Sequence, residues 1–555
     1  VIGAGKAPLF REYFKYHRTP LYEKFRRRRF RMKILVSDHL HEAGIELLRQ
    51  HAEVEVATGL SKEELIEKIR DKDGLLVRSA TKVTRDVIEA AENLKVIGRA
   101  GVGVDNIDIK AATERGIIVV NAPEASSITV AEHTIGLMLA LARRIPQANA
   151  SLKAGKWEKK KFLGIELRGK TLGVIGMGRI GSQVVRKAKA FEMHCIAYDP
   201  YISKKLAEEL GVEVVELDEL LARSDFITIH VPLTEQTRHL INAEAIAKMK
   251  DGAYLINAAR GGVVDEAALY DALRSGKLAG AALDVFEKEP PFGNPLLELD
   301  NCIVTPHLGA STEEAQRYAS LIACEEVLKV LRGEPPRNVV NMPRLPPEVL
   351  DKLKDHLALA EALGNFAIQL VSGRIRDVEV TFCGALAEEE HQEVLTNAAL
   401  KGLLSPILTE GVNLLNAPVV AKNRDIRITQ AKREDAEKYE SLIILRVKTD
   451  EGETMVKGSS VGGEVRITGI EEYAIELTPS GKMLIVKHED KPGMIGRVAT
   501  VLGEKQINIG AMQVGRREKG ETQLMVLSVD QPVGKEVVKE IASIPGVYSV
   551  KELEM

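Results

Sequence analysis

From Met32 onward, short apolar runs alternate with stretches whose apolar positions recur at helical spacing. Residues 33–37, 74–77, 94–98 and 116–121 predict strands, and 61–72 and 84–91 predict helices. The first of these helices opens on Ser61 with Glu64 three residues later, the reciprocal cap of a helix start. Strands alternating with helices predict a parallel sheet covered on both faces. A long apolar helix follows over 128–142 and runs up to Arg143-Arg144-Ile145-Pro146.

A second α/β series spans 171–305, and a helix is predicted over 312–332. Gly333-Glu334-Pro335-Pro336 then breaks the pattern, and Pro343, Pro346 and Pro347 prolong the break into a linker. Residues 348–480 mix a helix at 352–371 with strands at 375–382, 442–448, 464–469 and 473–477. The last stretch reads strand 483–488, helix 493–505, strands 507–515 and 522–529, helix 535–542 and strand 547–552, the split βαβ order. The predicted class is α/β: two doubly wound Rossmann-like domains, an α+β intervening domain and a ferredoxin-like terminal domain. The expected boundaries are 32–130 with 309–336, then 131–308, 337–482 and 483–555.

Composition narrows the function classes. With 45 % apolar and 28 % charged residues, the chain has the make-up of a folded protein. No apolar run approaches the ~18–20 residues of a membrane span. A net charge of −3 gives no global pull toward nucleic acid or a membrane surface. Residues 1–31 differ from the rest: ten Lys/Arg against two Glu make this leader about +8. It lacks the apolar core of a secretory signal and is poor in Ser. It reads either as an extension outside the fold or as a basic arm for acidic surfaces. The four cysteines, Cys195, Cys302, Cys324 and Cys383, form no Cys-x-x-Cys pair, so no metal site is expected. Reduced thiols in a cytoplasmic enzyme are the plain expectation.

The chemistry begins at Gly176-Met177-Gly178-Arg179-Ile180-Gly181, which follows a strand and opens a helix. Gly176 permits a tight turn, Gly178 lets backbone approach a pyrophosphate, and Gly181 lets helix and strand pack closely. The helix start supplies N–H groups and a positive dipole end. Asp199 ends the next strand, 18 residues after Gly181, where its carboxylate can accept ribose hydroxyls and repel a 2′-phosphate. The cofactor is therefore expected to be NAD.

Three later strands, 253–257, 279–285 and 302–305, are followed by polar residues: Arg260, Glu289 and His307. Oxidising a secondary alcohol needs a base for the hydroxyl proton, a carboxylate to orient that base, and a fixed cation for a substrate carboxylate. Singly, each residue has a plainer role as a helix cap, a surface charge or a structural histidine. Downstream of one nucleotide turn, the three together point to catalysis, provided their strands are neighbours.

Several stretches resemble the D-2-hydroxyacid dehydrogenase family. They are Val77-Arg78-Ser79-Ala80-Thr81, Gly98-Arg99-Ala100-Gly101-Val102-Gly103-Val104-Asp105-Asn106, the nucleotide turn, Asn257-Ala258-Ala259-Arg260-Gly261-Gly262, Ala282-Leu283-Asp284-Val285-Phe286 and Thr305-Pro306-His307-Leu308-Gly309. The linker Asn338-Val339-Val340-Asn341-Met342-Pro343 resembles that of the family's long, phosphoglycerate-oxidising branch, which carries an intervening and an ACT domain. The resemblance covers Met32 to Met555. It implies Arg260 as substrate-orienting cation, Glu289 as carboxylate partner and His307 as acid/base. It also implies cofactor contacts at Gly176, Gly178, Arg179, Ile180, Gly181, Asp199, Val231, Ala258, Asp284 and Val102. Val231 and Val102 stand where threonine is frequent, so a hydroxyl contact would be missing there.

A phosphorylated substrate implies further cations, for which Arg78 and Arg99 are candidates. Lys159-Lys160-Lys161 is either a solvated run or a segment that reaches a neighbouring subunit. The end of the chain resembles an ACT domain at Lys487-His488-Glu489-Asp490-Lys491-Pro492-Gly493-Met494-Ile495-Gly496 and Gln506-Ile507-Asn508-Ile509. His488, Asp490 and Asn508 are its effector candidates; alternatively, Asp490 and Pro492-Gly493 simply turn the chain into a helix. The implied reaction is NAD-dependent oxidation of D-3-phosphoglycerate to 3-phosphohydroxypyruvate, with L-serine as effector, in a homodimer or homotetramer. A glyoxylate or hydroxypyruvate reductase, or an NAD-sensing corepressor on the same fold, is the alternative.

Overall fold

A computed structural model describes residues 32–342, 347–408, 411–516 and 522–555. The basic leader expected at 1–31 lies outside the described residues, as do Pro343 and Pro346 of the expected linker. The chain forms two compact units. One holds 32–82, Ile97–Asn106 and Val120–Asn338; the other holds Val83–Val96, Ile107–Val119 and Val339–Met555.

The first sheet contains β1 (Lys33–Val36), β2 (Glu53–Val56), β3 (Gly74–Val77), β4 (Val96–Arg99) and β5 (Ile118–Asn121), in the order β2-β1-β3-β4-β5. β3 is buried along its whole length, as a strand covered on both faces must be. β2 is absent from the sequence reading. Its Glu-Val-Glu-Val pattern is that of a partly solvated edge strand paired parallel with β1. The Lys62–Ile69 helix carries the expected cap: Glu64 N–H donates to Ser61 Oγ at 3.3 Å, and Ser61 N–H donates to Glu64 Oε2 at 2.8 Å. The long Ser127–Arg143 helix ends at Arg144, whose φ is +51°, and Pro146 then sits in the first turn of a second helix, Ile145–Lys153. A proline at that position starts a helix as readily as it stops one.

The second sheet contains β6 (Thr171–Ile175), β7 (His194–Tyr198), β8 (Glu213–Val214), β9 (Phe226–Ile229), β10 (Ala253–Asn257), β11 (Leu278–Leu283) and β12 (Cys302–Val304). Its order is β12-β11-β10-β9-β6-β7-β8, with parallel pairing. The order reverses between β6 and β9, the switch point where such sheets bind ligands at their carboxyl ends. The Glu313–Leu331 helix leaves this region and packs on the Glu42–Arg49 helix beside the first sheet, where His41 N–H donates to Ser320 Oγ at 3.0 Å.

In the second unit, β13 (Ile375–Gly384), β14 (Arg427–Arg433), β15 (Ser441–Thr449), β16 (Glu453–Val461), β17 (Glu464–Ile470) and β18 (Tyr473–Leu477) form a sheet in the order β14-β13-β15-β16-β17-β18. β14 pairs parallel with β13 and the other pairings are antiparallel. β14 and β16 were not predicted, because both are mostly polar. β14 is an edge, and at Gly458 of β16 a methyl would crowd Leu359 of the covering Pro347–Leu370 helix. The last sheet, β19 (Lys482–Glu489), β20 (Ile509–Arg516), β21 (Thr522–Val529) and β22 (Val547–Glu554), has the ferredoxin-like order β20-β21-β19-β22. Alternate residues of β19 serve two cores. Met483 and Ile485 join the core around Phe366 and Phe382, whereas Leu484 and Val486 pack with Val498, Leu502 and Ile541. No helix among the described residues is long and apolar enough to cross a membrane.

Candidate active site

The glycine turn lies between β6 and the Arg179–Ala190 helix, at the switch point of the second sheet. Gly176 has φ +95°, and a methyl there would sit 2.8 Å from the His230 carbonyl oxygen and 2.9 Å from Val231 Cγ1. At Gly181 a methyl would collide with the Gly176 carbonyl, so helix and turn meet only because no side chain intervenes. Gly178 faces open space, which leaves the backbone N–H groups at the helix start free for a pyrophosphate. Asp199 stands at the end of β7. Its Oδ2 accepts the Met177 N–H at 2.7 Å and its Oδ1 the Tyr201 N–H at 2.8 Å, and each oxygen keeps a lone pair for a ribose hydroxyl. The residues present fit NAD. Arg179 lies at the mouth of the turn, paired with Glu124 at 3.2 Å, with Ile180 beside it. Val231 follows β9, Ala258 is buried just past β10, and Val102 accepts the Asn121 side-chain amide at 2.6 Å through its carbonyl.

β10, β11 and β12 are adjacent, so the loops carrying Arg260, Glu289 and His307 leave neighbouring strand ends. His307 Nδ1 lies 2.9 Å from Glu289 Oε2, and Glu289 Oε1 accepts the Phe286 N–H at 3.2 Å. With Nδ1–H donating to the carboxylate, Nε2 keeps its lone pair and can act as a base. His307 has φ +54°, a left-handed conformation that is costly for a histidine. Asp284 shows what holds it. The side chain is 1 % exposed, accepts N–H groups of Leu308 and Gly309 at 2.7 Å each, and accepts the Thr305 hydroxyl at 2.6 Å. Burial opposes its ionisation, but these bonds and one from His133 prevail and hold the carboxyl below its usual range. Asp284, expected at the cofactor, is thus committed first to the turn that carries His307.

The cations converge. Arg260 Nε lies 3.3 Å from Asp105, and its Nη1 donates to the Ala259 carbonyl at 2.7 Å. Asn257, 1 % exposed, shapes that turn by accepting the Ala259 N–H and donating to the Arg260 carbonyl, both at 3.0 Å. Arg99 ends β4. Burial, then the charges of Arg260 and Arg78, push its guanidinium down to about 10, against Asp105 and Asp38. Its Nε is buried with no hydrogen-bond partner among the described residues. Methyl groups at Gly101 and Gly103 would collide with the Arg99 and Arg260 guanidiniums, so this glycine pair makes room for both. Arg78 follows β3 on a turn laced from two sides. Asp38 accepts the N–H groups of Arg78 at 2.6 Å and Thr81 at 3.1 Å, while Asn106 donates to the carbonyls of Arg78 at 2.8 Å and Thr81 at 2.7 Å. Three clustered guanidiniums, opposed by Asp105 and Asp38, leave a net positive patch whose chemistry suits a polyanion. The sequence reading did not single out Asp38, Asn106, Asn257, Gly101, Gly103 or Asp105; the spaced glycines of 101–103 were the available signal.

The effector candidates fall in the last sheet. Asp490 is bonded by Arg516 at 2.6 Å and by the Gln523 amide at 2.7 Å, so part of its acceptor capacity is already used. Asn508 Nδ2 donates to Asp530 at 2.7 Å. His488 is fully buried; its Nδ1 bonds the Glu489 carbonyl at 2.8 Å and its Nε2 has no partner among the described residues.

Three segments of the chain match known families. Residues 135–309 match the NAD binding domain of D-isomer specific 2-hydroxyacid dehydrogenases, 352–471 the D-3-phosphoglycerate dehydrogenase intervening domain, and 482–546 the ACT domain. Fold and site define an NAD-dependent D-2-hydroxyacid dehydrogenase. A Methanocaldococcus jannaschii protein named D-3-phosphoglycerate dehydrogenase is 56 % identical over 525 residues, 94 % of this chain and 100 % of its own. One of the same name from Archaeoglobus fulgidus is 51 % identical over 528 residues, again 94 % and 100 %. The solved Aquifex aeolicus D-lactate dehydrogenase complexed with NAD and lactic acid is 33 % identical, with TM-score 0.51, over 56 % of this chain and 99 % of that one. The chain belongs to the D-3-phosphoglycerate dehydrogenase family.

Proposed function

We propose that the protein oxidises D-3-phosphoglycerate to 3-phosphohydroxypyruvate, the entry reaction to L-serine. The observation that carries this reading is the pairing of an imidazole–carboxylate dyad with a three-arginine cluster in the same unit. His307 Nε2 takes the C2 hydroxyl proton, and Glu289 holds the resulting imidazolium through Nδ1. Arg260 orients the substrate carboxylate and the C2 oxygen, exchanging its contact with Asp105 for one with substrate. Arg99 and Arg78 receive the phosphate dianion. NAD bound at the glycine turn supplies the acceptor for the hydride that leaves C2. Steady-state NADH formation with D-3-phosphoglycerate, set against D-glycerate and D-lactate, tests the assignment. A preference of at least about tenfold in kcat/KM for the phosphorylated acid is expected from one charge-assisted contact alone. Equal turnover of all three would refute it and favour the glyoxylate or hydroxypyruvate reductase.

L-serine is the proposed effector. An amino acid needs an acceptor for its ammonium, which Asp490 supplies, and donors for its carboxylate, which backbone N–H groups around Gly493 supply. Serine inhibition that persists unchanged in Asp490→Ala would remove the assignment. A homodimer or homotetramer is proposed on the strong exposure of Ile145, Leu152, Trp157 and Leu163, apolar residues close along one stretch of chain. Light scattering of the purified protein reads the mass directly. All four thiols are buried and unpaired, in keeping with a reducing, cytoplasmic setting.

A further inference from the structure

We propose that Glu266 is the positioning residue that holds Glu289 against His307, a role that rests on the base assignment made above. Glu266 is half-buried at the start of the Glu266–Ser275 helix, an element that carries neither member of the dyad. One carboxylate oxygen accepts the Glu287 N–H at 2.6 Å, and the other accepts Nδ2 of Asn294 at 2.6 Å. Those partners bracket Glu289 in sequence, so a single carboxylate clamps both ends of the loop that bears it. Capping does not explain the arrangement: Asp265 already serves its helix, accepting the N–H groups of Ala267 and Ala268 at 3.0 Å each.

The clamp is reciprocal. Glu287 Oε1 accepts the Glu266 N–H at 3.3 Å and bonds His239 Nε2 at 3.1 Å. The His239 N–H in turn donates to the Gly262 carbonyl at 2.8 Å. The Arg260 turn is drawn into the same arrangement, because a methyl at Gly261 would collide with the Phe286 carbonyl. Within the clamped loop, Glu289 gives one oxygen to the Phe286 N–H and keeps the other for His307.

The ionised carboxylate accepts both bonds at full strength, whereas protonation leaves one oxygen a much weaker acceptor. Burial above all, with the charges of Glu287 and Glu289, raises the Glu266 carboxyl above its usual range, against the bonds it accepts. The groups facing it are Glu287, Glu289, Asn294 and, through Glu287, His239. The clamp therefore loosens as pH falls through that raised value.

The test is steady-state kinetics of Glu266→Gln, Glu289→Gln, the double variant and His307→Ala with D-3-phosphoglycerate. Glutamine keeps the size of Glu266 but cannot accept both bonds. Glu266→Gln is expected to lower kcat about fivefold, with KM for NAD within about twofold of the parent, since misplacement of a catalytic group acts on the chemical step. The acid limb of its kcat/KM profile should change as that of Glu289→Gln does. In the Glu289→Gln background, Glu266→Gln should cost less than about twofold, because the two act through one contact. Asn294→Asp turns the donor to Glu266 into a second carboxylate while keeping an oxygen for the Leu296 N–H, now accepted at 3.0 Å; it should lower kcat in the same direction. An unchanged kcat in Glu266→Gln, or an equal loss in both backgrounds, overturns the clamp while His307→Ala stays inactive. Full turnover in His307→Ala overturns the base assignment and the clamp together.

Discussion

Glu289→Gln separates what one contact contributes to folding from what it contributes to catalysis. His307 Nδ1 and Glu289 Oε2 are 2.9 Å apart, with the two side chains 51 % and 40 % exposed. In the resting enzyme the imidazole is neutral when it serves as base, and an exposed pair of this kind contributes only ~0–1 kcal/mol to stability. Once His307 holds the substrate proton, the same contact joins a cation to an anion, and a hydrogen bond between charged partners contributes ~1.5–3 kcal/mol. Half-exposure places it at the low end, about 1.5–2 kcal/mol. At ~1.4 kcal/mol per factor of ten, kcat should fall about 10–30-fold. Glutamine can still present its oxygen to Nδ1, with its NH2 then facing the Phe286 N–H, so the variant loses the charge and the weaker 3.2 Å bond. The assay is NADH formation at saturating phosphoglycerate and NAD, alongside a thermal melt of the same preparation. A kcat within about twofold of the parent, or a kcat loss accompanied by an equally large loss of folding free energy, would refute the reasoning.

Arg99→Met should raise KM for phosphoglycerate about 10–100-fold while altering KM for D-glycerate little, since one charge-assisted contact to the phosphate is lost. Gly181→Ala should push helix and turn apart at a cost of ~1–3 kcal/mol and weaken NAD binding, read by calorimetric titration; unaltered affinity would deny the close packing. Asp284→Asn should lower both Tm and kcat, because it leaves donors of the His307 turn unmet at ~1–3 kcal/mol. The Asp284 carboxyl is depressed in the fold, so its contribution is present above the ordinary carboxylate value and lost as pH falls through the lowered one. The gap in stability between parent and Asp284→Asn should therefore narrow in acid.

Legibility from sequence followed burial. β10 matches its predicted span because it is a continuous apolar run ended by a polar residue. The capped Lys62–Ile69 helix was equally plain in its start, although it stops short of Lys72. Two edge strands were not legible: β2 and β14 expose half or more of their residues, so no apolar run marks them. β16, also mostly polar, was hidden further by Gly458, which the covering helix demands where a strand would otherwise show a larger residue. β19 reads as one hydrophobic stretch, and nothing in that stretch reveals that its two faces serve different cores.

The chain of residues alone determined the nucleotide turn, since the roles of Gly176, Gly181 and Asp199 depend on backbone freedom and charge at short spacing. It also supplied an arginine, a carboxylate and an imidazole after three strands. Their meeting was decided by tertiary structure, through the order β12-β11-β10, because adjacency of parallel strands depends on crossovers that no local pattern encodes. The same holds for the gathering of Arg78, Arg99 and Arg260, and for the bonds that tie Asp284 to the His307 turn and Glu266 to the Glu289 loop. Periodicity reports which face of an element is apolar; the partner a polar side chain finds across tens or hundreds of residues is set by how whole elements pack.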